Sequence, residues 1–176
     1  MNQRFKECLL EVYHSEITGE VIFESMLQNA KNSEERFIFG SMLQLETEAK
    51  AIMRPILVQL DLPIEEKGSS REQGIAFGES FKEMSFSEIM QNIEKSVKNI
   101  YLPQYEELGT LITEEDEKHF KLAKFMGDHE RALLLSAENI NNNRSEPMKP
   151  VTEMLRFPIF LKIPKDIFKF DIIYLL

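Results

Sequence analysis

A single cysteine, Cys8, is all the thiol the 176-residue chain carries. No intramolecular disulfide can form, and a reducing cytoplasm is the expected home. Cys8 sits in a helical apolar stripe with no base at helical spacing, which argues against a thiol nucleophile. Basic charge is scarce too: 21 Lys and Arg stand against 30 Asp and Glu, a net charge of -9. No basic stripe offsets this, which argues against a nucleic-acid backbone or an anionic membrane as the main partner. Nowhere do about 18 apolar residues run without charge, so no membrane span is expected. The opening MNQRFKECLLEVYHSE lacks a signal-peptide core. Missing also are a Gly-rich phosphate loop, H-E-x-x-H, C-x-x-C and a nucleophile elbow, the usual marks of phosphate-loop, zincin, dithiol and serine-hydrolase chemistry.

What remains, 43% apolar and 29% charged, is the composition of one globular domain with a full core. Four long helical patterns run through it. The first spans about 3–31, with Phe5, Leu9, Val12, Tyr13, Phe23 and Leu27 on one arc at 100° per residue. The second opens after Asn32 and Ser33, with Glu35 placed for a capping box, and carries Pro55 in its last turns. The third opens at SFSE, where Ser85 and Glu88 form the S-x-x-E signature, and meets Pro103, an expected kink. The fourth begins at TEED with Thr113 as the expected cap and runs to the polar stop NINNNRSEP.

Tight turns near residues 32 and 110 make each consecutive pair an antiparallel hairpin. Between the hairpins lie about 24 residues, DLPIEEKGSSREQGIAFGESFKEM, enough to travel the roughly 40 Å length of a bundle, with a short helix expected at 72–82. The expected architecture is therefore an all-α four-helix bundle over 1–142, two antiparallel hairpins joined by one long crossover, the wiring of ferritin-like bundles.

On these helices several carboxylates fall where apolar side chains belong. Glu16 and Glu20 lie near the middle of the first arc, Glu46 is bracketed by the second, and Glu130 is nearly central on the fourth. Glu94 and His129 stand at the edges of the third and fourth. Counted from the turns, Glu46 is about level with residue 18, and Glu130 with residue 91, so the acids converge on one mid-bundle layer. Buried carboxylates cost several kcal/mol each unless protonated, hydrogen-bonded or paired, and a divalent ion removes their mutual repulsion. Two readings stand here: a metal site, or a relic whose carboxylates bond to Tyr13, Tyr101, Gln104 or a buried water. Gly19 is expected to let two helices approach closely.

The segments YHSEITGE, QLETE and GDHERAL, with this wiring, resemble the site segments of the ferritin-like superfamily, in the manner of its rubrerythrin and small-molecule or tRNA hydroxylase branch. The resemblance covers about residues 3–140. It implies a Glu on helices one and three and Glu-x-x-His on helices two and four, holding two iron or manganese ions. Carried over position by position, Glu20 or Glu16, Glu46, Glu94 and Glu130 match. The two histidines do not, since Ala49 and Leu133 stand in their places, and His129 would substitute only through a local distortion of its helix.

The tail, 143–176, has another composition. Pro158 and Pro164 bar a continuous helix, while Phe168, Phe170, Ile172 and Tyr174 alternate with Lys169 and Asp171 as in an extended segment. So apolar an end is expected to pack on the bundle or to form a homodimer, through the tail or through helix faces. Two functions follow: a metal-dependent oxidoreductase or hydroxylase acting on a small molecule, with Tyr101 or Tyr105 beside the metal, or a metal-free helical scaffold that binds a protein partner.

Overall fold

Helix starts are set by side chains that take up free backbone N–H groups. Asn2 accepts from the Arg4 N–H at 3.0 Å and opens α1, Gln3–Gln28; Asn32 accepts from the Glu35 N–H at 2.9 Å and opens α2, Ser33–Gln59. The crossover carries α3, Gly68–Ser80, slightly earlier than its expected 72–82. Ser85 and Glu88 form the reciprocal capping box of α4, Phe86–Ser96. A π-turn at Val97–Tyr101 joins α4 to α5, Leu102–Thr110, without a break, and α6 covers Glu117–Asn141. One more helical turn, α7, spans Lys149–Thr152. The computed structural model describes residues 2–158 and is all-helical, with no strand among the described residues. No helix among them is long and apolar enough to cross a membrane.

Two helices end on the same device. Asp61 and Asn143 adopt left-handed φ of 57° and 51°, and the next N–H turns back: Leu62 to the Leu57 carbonyl, Arg144 to that of Asn139, each at 2.9 Å. The start of α6 departs from expectation. Thr113 does not cap it; its carbonyl accepts the Asp116 N–H at 3.0 Å in a turn, and the helix begins only at Glu117.

Cross-helix pairs fix direction and register. Lys6 reaches the Leu60 carbonyl, Arg54 Nε donates to the Tyr13 hydroxyl, and Thr47 donates to Glu20, so α1 and α2 run in opposite directions. Arg131 with Glu106, Lys98 with Glu138 and Asn141 with Glu94 show the same for α6 against the α4–α5 rod. Because residues 111–116 are not helical, the first turns of α6 overhang the end of α5 and pack on the start of α1, with Phe5 edge-on to His119 at 5.8 Å. Crossover helix α3 lies along α1. Its small residues make that approach possible: a Cβ on Gly74 would stand 2.7 Å from Val21 Cβ, one on Gly78 2.7 Å from Ser25 Cβ, and the Thr18 hydroxyl donates to the Ser70 carbonyl at 3.2 Å.

The interior is divided in two. One apolar cluster gathers Phe5, Leu9, Tyr13, Met53, Leu57 and Leu108 at the end where α1 starts. The other gathers Phe23, Phe39, Met42, Met90, Leu133 and Val151 at the far end. Each such side chain contributes roughly 1.5–3 kcal/mol by leaving water. Met148, Val151 and Leu155 from the start of the tail belong to the second cluster, so this part packs in cis. The expected extended segment with Phe168, Phe170, Ile172 and Tyr174 lies outside the described residues.

Candidate metal centre

Between the two apolar clusters the interior turns polar. Glu16 on α1 is fully buried; its Oε1 accepts from the Tyr105 hydroxyl at 2.6 Å. Its Oε2 has no hydrogen-bond partner and lies 3.4 Å from His129 Nε2. Glu46 on α2, 4% exposed, folds back over α1: a Cβ on Gly19 would stand 2.8 Å from Glu46 Cδ and Oε2 and 2.9 Å from Oε1. The bare backbone of Gly19 thus makes room for a carboxylate rather than for helix-on-helix contact. From α6 come His129 and Glu130, 0% and 3% exposed, with Nδ1 of one 3.4 Å from Oε2 of the other. Glu16, Glu46 and His129 each offer one donor atom, all within 4.8 Å of one another.

Neighbours in sequence rarely share a buried face, being 100° apart on a helix. His129 and Glu130 both go inside because α6 is covered on several sides, by α2, the α4–α5 rod and α7. The histidine expected at the edge of the arc is therefore at the centre, in ordinary α-helix, and the local distortion lies on the opposite rod. There Leu102 donates to the Val97 carbonyl across the π-turn. Pro103, just beyond, has no N–H to continue the ordinary ladder and its ring collides with the carbonyl one turn back. The kink expected at Pro103 takes the form of this widened turn.

Two expected members of the layer are elsewhere. Glu20 points to the rim, where it takes the buried Lys50 ammonium and, at 2.7 Å, the Thr47 hydroxyl. Lys50 also reaches Glu66 at 2.6 Å, tying the crossover to the bundle, and Arg54 and Arg71 bind the same Glu66 carboxylate. The sequence reading overlooked Lys50; its signal was a lysine one turn beyond Glu46 on the apolar side of α2. Glu94 is half-buried and accepts from Asn141 at 2.7 Å, near the end of α6. The late start of α6 shifts the register, so that residue 106 rather than 91 is level with Glu130, and Tyr105 occupies the place expected for Glu94.

The electrostatics follow from burial and crowding. Burial, then the charges of Glu16 and Glu130, push the Glu46 carboxyl well above its ordinary range. Burial likewise raises Glu130, against the pull of His129. For the His129 imidazole burial works downward, but the carboxylates of Glu16 and Glu130 outweigh it and the net direction is up. Burial, then Glu16, raises Tyr105 well above the usual phenol range, so it stays a donor. The layer holds protons it would not hold in water. Outside it, burial pushes the Cys8 thiol up to about 11, in keeping with an inert sulfur.

One side of the layer opens on a cavity of ≈ 130 Å³. Glu46, Glu130 and Tyr105 line its floor, Phe23, Val97 and Leu133 its walls, and Phe77 and Ile100 its mouth. The π-turn supplies Val97, Ile100 and Tyr101 to it together. No protein-family model matches the chain, and no curated protein or solved structure matches it.

Proposed function

We propose that the chain is a ferritin-like four-helix bundle whose mid-bundle layer binds a divalent metal ion, iron or manganese, and uses it to oxidise or hydroxylate a small molecule. One observation carries this reading. Donor atoms of Glu16, Glu46 and His129 converge within 4.8 Å in the buried interior, and Glu16 Oε2 and both His129 nitrogens there lack hydrogen-bond partners. Orphaned buried polar atoms are costly, about 1–3 kcal/mol each, and a cation at their focus relieves them together. Carboxylate and imidazole donors suit iron and manganese.

The supporting residues have separate parts. Tyr105 holds Glu16 by its hydroxyl and lies parallel to the His129 ring at 6.1 Å, and Glu130 faces Nδ1, where an acceptor orients a ligating histidine. Gly19 leaves Glu46 its space. Two carboxylates and one imidazole, with Glu130 behind the histidine, suit one ion better than the paired ions that the resemblance implies. A bound iron or manganese ion supplies Lewis acidity and one-electron redox chemistry at this layer. The apolar cavity admits the substrate and excludes bulk water from the floor.

Protein purified without chelator and offered Fe(II) or Mn(II) is expected to hold roughly one ion per chain and to release protons on uptake, since the ion displaces those the layer holds. Titration calorimetry in two buffers of different ionisation enthalpy measures the release; no uptake by elemental analysis ends this reading. A second reading, a metal-free scaffold with a relic site, is favoured by the same raised carboxyls, because protons alone neutralise part of the layer. In that case Glu46→Gln and Glu130→Gln raise thermal stability and change nothing else.

A further inference from the structure

No Lys, Arg or His lines the cavity beside the carboxylate layer, although its floor carries Glu46 and Glu130. Both side chains are more than nine-tenths buried; Glu130 meets His129 Nδ1 at 3.4 Å from behind the lining, and Glu46 forms no ion pair with Lys or Arg among the described residues. Above them the walls are mostly apolar, and the mouth is apolar too, with Phe77 42% and Ile100 62% exposed. Large side chains left open to water at the rim of a hollow mark an entry for an apolar body. We propose, resting on the reading of this layer as the reactive centre, that the cavity takes a small hydrocarbon with a protonated amine head, the body between α4 and α1 and the head at Glu46 and Glu130.

Size sets the body. A void of roughly 150 Å³ lined by aliphatic and aromatic side chains takes one benzene ring. The ≈ 130 Å³ here suits a six-carbon chain or a ring of that order, with anything longer emerging past Phe77 and Ile100. Charge sets the head. An ammonium meets two carboxyl groups on a buried floor and forms charge-assisted hydrogen bonds, the strong kind. A carboxylate or phosphate head finds two acidic side chains and no Lys, Arg or His on the lining to pair with it, and a buried unpaired anion is expelled. An alcohol falls between, since it hydrogen-bonds without charge. The hydroxyls of Ser15, Ser96 and Tyr101 and the amide of Asn92 add neutral polar contacts on the walls.

Hexylamine, hexanol and hexanoate are the probes, titrated into the full chain, metal-free and manganese-loaded, with binding read by calorimetry and by NMR shifts of labelled Phe and Tyr. Hexylamine is expected to bind the metal-free protein at least about tenfold tighter than hexanol, with hexanoate weaker still. Glu46→Gln narrows the amine–alcohol gap, and Ser96→Phe, which fills the cavity, abolishes amine binding with helicity retained. Should Ser96→Phe not fold, Ile100→Trp at the exposed mouth serves instead. Hexanoate binding as tightly as hexylamine, or amine binding untouched by both filling variants, overturns the proposal. Amine selectivity without manganese uptake supports it and removes the metal reading; manganese uptake without amine selectivity overturns it alone.

Discussion

Gly19→Ala isolates the placement on which the site depends. The new methyl gains about 1 kcal/mol in helix propensity, because glycine pays more backbone entropy than alanine. It also arrives 2.8–2.9 Å from the three carboxylate atoms of Glu46, well inside the ordinary contact of about 3.5–4.0 Å. The carboxylate must then swing aside, and the space open to it is the neighbouring cavity, whose floor it lines. Leaving its place costs about 1 kcal/mol in packing, so Gly19→Ala alone comes out near neutral. In a Glu46→Ala background nothing is displaced, and the same methyl gives its full gain of about 1 kcal/mol. Urea unfolding of the metal-free wild type, both single variants and the double variant yields the coupling energy. A value near 1 kcal/mol is expected, against the 0.3–0.5 kcal/mol scatter of independent sites, roughly. Metal uptake by Gly19→Ala should also weaken about 10–100-fold, as when a group that places a ligand is disturbed. A coupling within scatter would falsify the placement of Glu46 over α1, and the donor set would go with it.

Other perturbations probe other contacts. The metal-free protein should lose stability as pH rises: Glu46, Glu130 and His129 all bind protons more tightly folded than unfolded. Their contribution is complete below the ordinary carboxyl value of 4.5 and fades upward through the histidine range, where the ordinary value is 6.5. Thermal melts across this range should show that slope, and manganese loading should flatten it; a rise in stability instead would contradict the sign. Tyr105→Phe leaves Glu16 without its hydroxyl donor and should cost about 1–3 kcal/mol in urea unfolding, a loss that a surface tyrosine would not show. Lys50→Ala unties Glu20 and Glu66 and should cost about 2 kcal/mol while exposing residues 61–67 to limited proteolysis; protection equal to wild type counts against the latch. Gly74→Val forces α3 off α1, since even a Cβ would stand 2.8 Å from the Thr18 carbonyl, and should lower the melting temperature by several degrees, about 2–4 °C per kcal/mol lost.

Much was legible from residue order because it is local. Capping side chains at Asn32 and Ser85 act on N–H groups three residues away, so they announce helix starts wherever the helix ends up. Periodicity sets the phase of each helix, which is why Glu16, Glu46 and Glu130 could be read as inward without a partner in view. Phase says nothing about axial register or about how many sides of a helix its neighbours cover. Those came from the assembled chain: the late start of α6 put Tyr105 beside Glu16 and left Glu94 to Asn141, an α6 covered on several sides drew His129 inside, and Lys50 claimed Glu20 for the rim. A side chain's direction is settled within its own helix turn, whereas what it meets is settled by where other helices stop.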